Sequence, residues 1–303
     1  MEKILITGAN GLLGQKCVRI FDSNRDQVLG CDLHDRSFIP KKSYQYVRLD
    51  ISDRSRIKEV VMSFKPTYII NTAASTNVDT CETEREKCWK INVEAVQHLI
   101  YAAKKIDASI IQISTDYVFD GENGPYQESD PPKPLGYYGK SKLASENALI
   151  ESGINHAILR TMVMYGCGLN IRLNFVTWVI KKLRAMETIS IATDQFGNPT
   201  LADDLAYIIK HIVRQRKLGT FHVAGKEIID RYHFAATIAD RFKLDKALIK
   251  PVQSSELNQL APRPLRSGFI LTKLEHELGV ETLTIAESLT IFKKQFKKMK
   301  PVL

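Results

Sequence analysis

A glycine-rich turn near the start of the chain constrains its fold more than any other feature. Three glycines follow the apolar run Ile4-Leu5-Ile6, and a helical pattern of apolar residues begins directly after them. This order of strand, turn and helix is the context in which a dinucleotide-binding fingerprint is specific. Glycine lets the backbone approach a pyrophosphate closely, and the free N–H groups of the next helix stabilise its charge. We assign cofactor binding to the turn residues Gly8, Asn10, Gly11, Leu12, Leu13 and Gly14.

Apolar runs typical of strands alternate with helical patterns through the first half of the chain. The runs are 4–7, 27–31, 44–49, 67–71, 109–114 and 157–160, with helices expected over 55–64, 88–105 and 138–151. This alternation predicts an α/β fold with a Rossmann-like, doubly wound parallel sheet. After Tyr165 the alternation fails, so we expect a smaller C-terminal substrate-binding domain. The expected division is 1–165 for the dinucleotide-binding domain, with 188–224 partly returning to it, and 166–187 with 225–303 for the substrate-binding domain.

Composition and charge limit the classes of protein that fit. The 303 residues are 44% hydrophobic, which is enough for a large buried core. No apolar run approaches the roughly 18 residues of a membrane-spanning helix, and the first residues resemble no signal peptide, so we expect a cytoplasmic protein without a membrane partner. The net charge is +9, but the segment 293–300 contributes five of those charges. A solvated terminal helix explains this segment better than a binding tail does, so we expect no nucleic acid partner.

The cysteines indicate reduced thiols. There are five, an odd number, and they lack C-x-x-C spacing, which argues against a disulfide framework. Cys81 and Cys88 stand seven positions apart, but no histidine pair accompanies them at the spacing of a zinc site. The sequence therefore predicts no metal there.

A tyrosine and a lysine four positions apart indicate carbonyl reduction. Tyr138 and Lys142 lie on one face of a predicted helix, so the ammonium can stabilise the phenolate and lower the pKa of the phenol. When a hydride reaches a carbonyl carbon, such a phenol protonates the oxygen while a fixed hydroxyl holds it. Thr115, at the end of a predicted strand, supplies that hydroxyl. Strand alternation points neighbouring Ser114 to the opposite face, and Ser114 remains the alternative.

Other residues at strand ends indicate how a dinucleotide is held. Asp32 ends the second strand, where a carboxylate hydrogen-bonds the adenosine ribose and repels the extra phosphate of NADP, which favours NAD. Arg36 follows closely and can offset that repulsion, so NADP stays open. Ala73 and Ala74 follow the fourth strand and are small, as is needed where the backbone passes a cofactor.

Together these motifs resemble the extended short-chain dehydrogenase/reductase family, and within it most closely the dTDP-4-dehydrorhamnose reductases of dTDP-rhamnose biosynthesis. The similar stretches cover nearly the whole chain and are 7–14, 71–74, 78–79, 81–82, 114–121, 138–142, 159–161, 194–200 and 263–264. The resemblance implies a catalytic triad of Thr115, Tyr138 and Lys142 acting with a nicotinamide cofactor. It also implies that Asp50 and Ile51 flank the adenine.

The resemblance further implies a substrate, a nucleotide-linked 4-keto-6-deoxy sugar reduced at C4. Related dehydratases have Asp-Glu after the active threonine, whereas this chain has Asp116 and Tyr117, which favours simple reduction over dehydration. Val163 stands where the family has a tryptophan near the sugar. Arg263 and Arg266 belong to the segment near the nucleotide diphosphate, with Arg266 in place of a neutral asparagine. These departures leave the sugar and the nucleotide base open.

Some relatives join two subunits through a magnesium ion that is ligated by a glutamate two residues after the last glycine of the turn. This chain has Lys16 at that position, and an ammonium cannot ligate a cation, so we predict no metal. The oligomeric state stays open, a homodimer included.

Two other functions fit the same motifs. One is an epimerase of nucleotide sugars, which uses the same tyrosine but rotates its ketone intermediate. The other is a non-catalytic NAD(P)-binding regulatory subunit, as in the related subunit of methionine adenosyltransferase. The intact Thr115, Tyr138 and Lys142 favour a reductase over that subunit.

Overall fold

The computed structural model describes residues 1–22, 25–40 and 43–299. Its strands, in chain order, are β1 (Lys3–Thr7), β2 (Gln27–Asp32), β3 (Gln45–Arg48), β4 (Tyr68–Asn71), β5 (Ser109–Thr115), β6 (His156–Thr161), β7 (Met164–Tyr165), β8 (Ile189–Ala192), β9 (Phe196–Gly197), β10 (Thr200–Leu201), β11 (Gly219–His222), β12 (Ile229–Asp230) and β13 (Ile249–Val252).

The helices lie between these strands and after them. They are α1 (Leu12–Phe21), α2 (Arg54–Phe64), α3 (Val78–Thr83), α4 (Arg85–Trp89), α5 (Ala95–Lys104), α6 (Tyr137–Ser152), α7 (Phe175–Arg184), α8 (Ala202–Gln215), α9 (Arg231–Phe242), α10 (Thr272–Leu278) and α11 (Ile285–Lys298). A π-helical turn, Lys90–Glu94, joins α4 to α5, and short 3₁₀ turns span Asp116–Val118, Lys246–Leu248 and Ser254–Glu256.

Seven strands form a parallel sheet in the order β11-β6-β5-β4-β1-β2-β3. The direction of strand order reverses at β1, which lies between β2 and β4. In open α/β sheets of this kind the ligand lies outside the carboxyl ends of the strands at that reversal. The prediction of a Rossmann-like, doubly wound parallel sheet is confirmed.

Helices cover both faces of the sheet, which explains why its central strands are continuously apolar. Ile4, Leu5 and Ile6 of β1 have no exposed surface. On one face α1 and α8 pack together through a core that includes Val18 and Ile209. The other face carries α2 and α5, which share a second core. This double cover holds the carboxyl ends of β1 and β4 rigidly at one edge.

A separate apolar core belongs to the second half of the chain, after β6. Side chains of α7, α9 and α11 form it, and Val176, Phe234 and Phe292 are fully buried there. The chain moves between this core and the sheet, because β8 pairs with β13 outside the sheet while β11 returns to pair with β6. The expected division into two domains stays a prediction.

The basic terminal segment forms α11 as far as Lys298, and the last lysine of that segment, Lys300, lies outside the described residues. Phe292 and Phe296 stack on each other with ring centroids 5.5 Å apart. Within 1–22, 25–40 and 43–299, no helix has the length and apolar character needed to span a membrane. All five cysteines are free and buried.

Candidate functional site

The structure brings Thr115 and Tyr138 together at the carboxyl edge of the sheet. Thr115 ends β5, and Tyr138 lies in the first turn of α6 with only 9% of its surface exposed. Burial raises the pKa of Tyr138, and the nearby Thr115 hydroxyl counters part of that rise. The direction is opposite to the lowering expected from Lys142, because removal of the phenol from water is the larger effect.

Lys142 follows Tyr138 by one turn of α6 and is 2% exposed. Its Nζ donates to the carbonyl oxygen of Ile113 at 2.6 Å and does not bond the phenol. Burial lowers the pKa of Lys142 to about 8, and the carboxylate of Glu146, one turn further along α6, raises it in part. The ammonium is therefore held beside β5, within a helical turn of Tyr138.

The structure separates the roles of the two neighbouring hydroxyls. Ser114 Oγ donates to Glu146, whose carboxylate also accepts a 2.7 Å hydrogen bond from Arg160. Thr115 Oγ1 instead donates to Asp116 Oδ1 at 3.1 Å and accepts from the Tyr117 backbone N–H. Ser114 thus belongs to a buried ionic network, which favours Thr115 as the hydroxyl that meets a substrate.

The glycine-rich turn has the geometry that a pyrophosphate requires. Gly8 has φ of +64°, and a Cβ there would lie 2.9 Å from the Ala73 nitrogen. A Cβ on Gly14 would lie 2.1 Å from the Gly8 carbonyl oxygen, so α1 can pack this closely only with glycine. Gly11 caps α1 without a side-chain hydrogen bond, which leaves first-turn N–H groups free for an anion.

The remaining cofactor candidates line the neighbouring strand ends. The Asp32 carboxylate accepts from the backbone N–H groups of Asn10 at 3.1 Å and Leu33 at 2.8 Å, and Arg36 nearby is exposed. Four further candidates follow β3 and β4: exposed Asp50, buried Ile51, and half-buried Ala73 and Ala74. Contacts between these residues and a cofactor stay a prediction.

Two of the predicted substrate residues, Asp116 and Tyr117, lie next to Thr115 and Tyr138. Asp116 Oδ2 accepts from Ser267 Oγ at 2.6 Å, and burial raises the pKa of this carboxyl. The Tyr117 ring packs edge-on against the Tyr138 ring, with centroids 5.6 Å apart. Asp116 therefore links the end of β5 to the segment around Ser267, and the Tyr117 ring borders the Tyr138 ring.

The other three substrate candidates differ in their surroundings. Arg263 donates to both carboxylate oxygens of Asp79, at 2.7 and 2.8 Å, so its charge is already paired. Arg266 is exposed, and its side chain makes no hydrogen bond with any described residue. Val163 has φ of +43°, an unusual value for a β-branched residue. Their contacts with substrate stay predictions.

The structure adds two charged residues that the motifs did not reveal. Glu146 bonds Ser114 and influences Lys142, and the four-residue helical spacing that joins Tyr138 to Lys142 would have found it. Arg231 lies beside Tyr117, because β12 pairs with β9 and positions the start of α9. No local sequence pattern signals that position.

The described residues contain no group of three or more His, Cys, Asp or Glu side chains arranged to hold a metal ion. Lys16 is buried, and its Nζ lies 2.9 Å from Asp203 and 2.8 Å from Gln295 Oε1. The ammonium thus joins α1, α8 and α11 within one chain.

The sheet, the glycine-rich turn and the Thr-Tyr-Lys arrangement define the class of extended short-chain dehydrogenases/reductases. The chain belongs to the family described as RmlD substrate binding domain, whose model matches residues 1–298. A dTDP-4-dehydrorhamnose reductase of Aggregatibacter actinomycetemcomitans is 33% identical over 93% of this chain and 95% of that protein. The methionine adenosyltransferase 2 subunit beta of Bos taurus is also 33% identical, over 92% of this chain and 83% of that protein.

Solved structures show the same similarity in three dimensions. A dTDP-4-dehydrorhamnose reductase from Clostridium acetobutylicum matches with a TM-score of 0.88 and 33% identity, over 97% of this chain and 99% of that one. The dTDP-4-dehydrorhamnose reductase of Bacillus anthracis, solved in complex with NADP, matches with a TM-score of 0.85 and 30% identity, over 99% of this chain and 100% of that one.

Proposed function

We propose that the protein reduces the 4-keto group of a nucleotide-linked 6-deoxy sugar with a reduced nicotinamide cofactor, as dTDP-4-dehydrorhamnose reductases do. The observation that carries this proposal is the buried Tyr138 beside Thr115, with Lys142 one turn away, at the sheet edge where the glycine-rich turn ends. The relatives named dTDP-4-dehydrorhamnose reductase support the choice of substrate class.

In this reaction the bound cofactor supplies a hydride to C4 of the sugar. Tyr138 donates its phenolic proton to the carbonyl oxygen as charge develops there, so the ketone becomes an alcohol. Thr115 donates a hydrogen bond to the same oxygen and holds it in line. Lys142 binds the nicotinamide ribose through its ammonium, and that positive charge favours the phenolate left on Tyr138.

We propose that both NADH and NADPH serve, with NADH preferred. The Asp32 carboxylate at the end of β2 suits free ribose hydroxyls and repels a phosphate. Arg36 is exposed four residues further on, and its positive charge can offset this repulsion so that NADPH also binds. The Bacillus anthracis relative, solved with NADP, supports such tolerance in this family.

The proposed partner is a small nucleotide sugar, with no nucleic acid or membrane partner. We also propose a cytoplasmic location, since the five free cysteines suit a reducing compartment. A second candidate function is a cofactor-binding subunit without turnover, which the identity to methionine adenosyltransferase 2 subunit beta favours.

The test is product analysis with dTDP-4-dehydrorhamnose and either reduced cofactor. A reductase yields one alcohol for each cofactor oxidised. Epimerisation without net oxidation, or cofactor binding without any product, would replace the proposal with one of its alternatives.

Tyr138→Phe provides the matched control, because it removes the proton donor and keeps the ring. We expect kcat to fall by about 10²-fold or more while the Kd for NADH changes little. Turnover close to that of the unmodified protein would show that another group donates the proton.

A further inference from the structure

Arg231 is a cation without a bonded acceptor beside the candidate active site. It begins α9 directly after Asp230, which caps the helix by accepting from the His233 N–H at 2.9 Å. The guanidinium carbon lies 5.6 Å from the centroid of the Phe175 ring. Within the described residues the guanidinium makes neither a hydrogen bond nor an ion pair, although the side chain is partly buried.

Two other arginines in the same part of the molecule are paired with carboxylates, unlike Arg231. Arg160 makes three hydrogen bonds to the carboxylate of Glu146, and Arg263 holds Asp79 with two. A guanidinium stays charged at all accessible pH values, and a charge taken out of water without a partner is costly. Arg231 therefore keeps its planar set of N–H donors available for an anion.

The neighbours of Arg231 connect it to the chemistry. Burial lowers its pKa, whereas Tyr117 and Asp116 lie close enough to raise it and Arg263 lies close enough to lower it. Asp116 and Arg231 form no ion pair among the described residues; the Asp116 oxygens accept from Thr115 at 3.1 Å and Ser267 at 2.6 Å. Backbone pairing places Arg231 near this carboxyl: Asp230, which precedes Arg231, pairs with Phe196, and Phe196 also bridges to Arg266, next to the Ser267 that bonds Asp116.

An aromatic ring and the lack of an acceptor characterise the surroundings of the Arg231 guanidinium. The Phe175 ring lies 5.6 Å from the guanidinium carbon, close enough for a cation–π contact, and no described side chain accepts from the guanidinium N–H groups. Arg263 has a carboxylate partner, Asp79, whereas Arg231 has none within the described residues. The positive charge of Arg231 beside Tyr117 suits an anionic group that offers several oxygens.

We propose that Arg231 is the principal residue that binds the diphosphate of the nucleotide-linked substrate, and that Arg263 mainly holds Asp79. This inference rests on the proposed function, since it names the part of the substrate that the site reads. A diphosphate offers paired oxygens that match the two parallel N–H donors of a guanidinium edge. Arg231 thereby sets the distance between the nucleotide and the carbonyl that Tyr138 protonates.

The experiment compares Arg231→Met and Arg231→Lys with the unmodified protein by calorimetric titration of dTDP, thymidine and NADH. Arg231→Met keeps an apolar stem against Phe175, and we expect it to weaken dTDP binding by about 10- to 100-fold, in line with hydrogen bonds to charged groups. Arg231→Lys keeps the charge but not the paired donors, so its loss should be intermediate. The Kd values for thymidine and NADH should not change, and the NADH value also shows that each variant is folded.

Arg241→Ala is the matched control, because Arg241 is an exposed arginine on the same helix, α9, and bonds Thr290 away from the site. Arg263→Ala should lower thermal stability, because it leaves Asp79 unpaired, and should reduce dTDP affinity less than Arg231→Met does. Unchanged dTDP affinity in Arg231→Met, or a larger loss in Arg263→Ala, would overturn the inference. If the unmodified protein binds neither dTDP, UDP nor GDP, the nucleotide-sugar substrate itself is wrong, and that outcome is distinct from a failure of Arg231 alone.

Discussion

Lys142 has the side chain whose charge state should limit activity at high pH. Burial lowers its pKa to about 8 from the ordinary 10.5, so the ammonium predominates below that pH and is lost as the pH rises through it. In the proposed mechanism the neutral amine no longer stabilises the Tyr138 phenolate and attracts the cofactor less. We therefore expect kcat/KM, which reports the free enzyme, and NADH affinity to fall together above about pH 8.

Lys140→Met is the control for this pH profile, since Lys140 is exposed on the same helix. Its profile should match that of the unmodified protein. A decline that begins only near pH 10.5, the ordinary lysine value, would mean that burial does not lower the pKa of Lys142.

Asp32 is the residue that should decide between the two cofactors. If Asp32 binds the ribose as proposed, Asp32→Ala removes the acceptor for its hydroxyls and the repulsion of the NADPH phosphate. The ratio of kcat/KM for NADH to that for NADPH should then move toward NADPH by about 1 to 3 kcal/mol. Arg36→Ala should move the ratio in the opposite direction. If neither substitution alters the ratio, these side chains do not contact the ribose.

At the scale of elements, the sequence predicted the parts whose signals are local. The strand, glycine turn and helix at 3–21 are readable because alternation, glycine spacing and helical periodicity all lie within that segment. The helix expected over 88–105 is instead three pieces, α4, a π-helical turn and α5. The turn includes Asn92, whose amide bonds the Ser75 carbonyl at 3.1 Å and Ser141 Oγ at 3.0 Å. Hydrophobic periodicity within 88–105 could not predict this break, because the partners of Asn92 lie far away in the sequence.

The candidate site divides in the same way. The pairing of Tyr138 with Lys142 was predicted from helical spacing, and the separation of Thr115 from Ser114 from strand alternation; the same helical spacing leads on to Glu146, which the sequence analysis missed. The pairing of Arg263 with Asp79 joins residues 184 positions apart, and the free guanidinium of Arg231 depends on the pairing of β12 with β9. Contacts between such distant residues depend on how the whole chain packs. Composition and residue spacing within one segment therefore cannot predict them.

At the scale of the whole molecule, long-range hydrogen bonds join the two halves of the chain. The Ser267 hydroxyl reaches Asp116 over 151 positions, and Gln15 bonds the Leu169 backbone in both directions over 154 positions. The residues of the Thr-Tyr-Lys arrangement belong to the first half of the chain, whereas Arg231 and Arg263 belong to the second. Neither half contains a complete site.

The return of β11 to the sheet has a consequence for how the chain is made. Until Gly219–His222 has left the ribosome, β6 presents a row of unpaired N–H and C=O groups beside Ile158 and Leu159, which are fully buried in the finished protein. An open apolar strand of this kind pairs readily with other nascent chains. A fragment ending at Tyr165 should therefore sediment as aggregates, whereas the full chain stays dispersed. If the fragment is monodisperse in ultracentrifugation, the unpaired edge of β6 does not cause aggregation, and pairing with β11 is not needed for solubility.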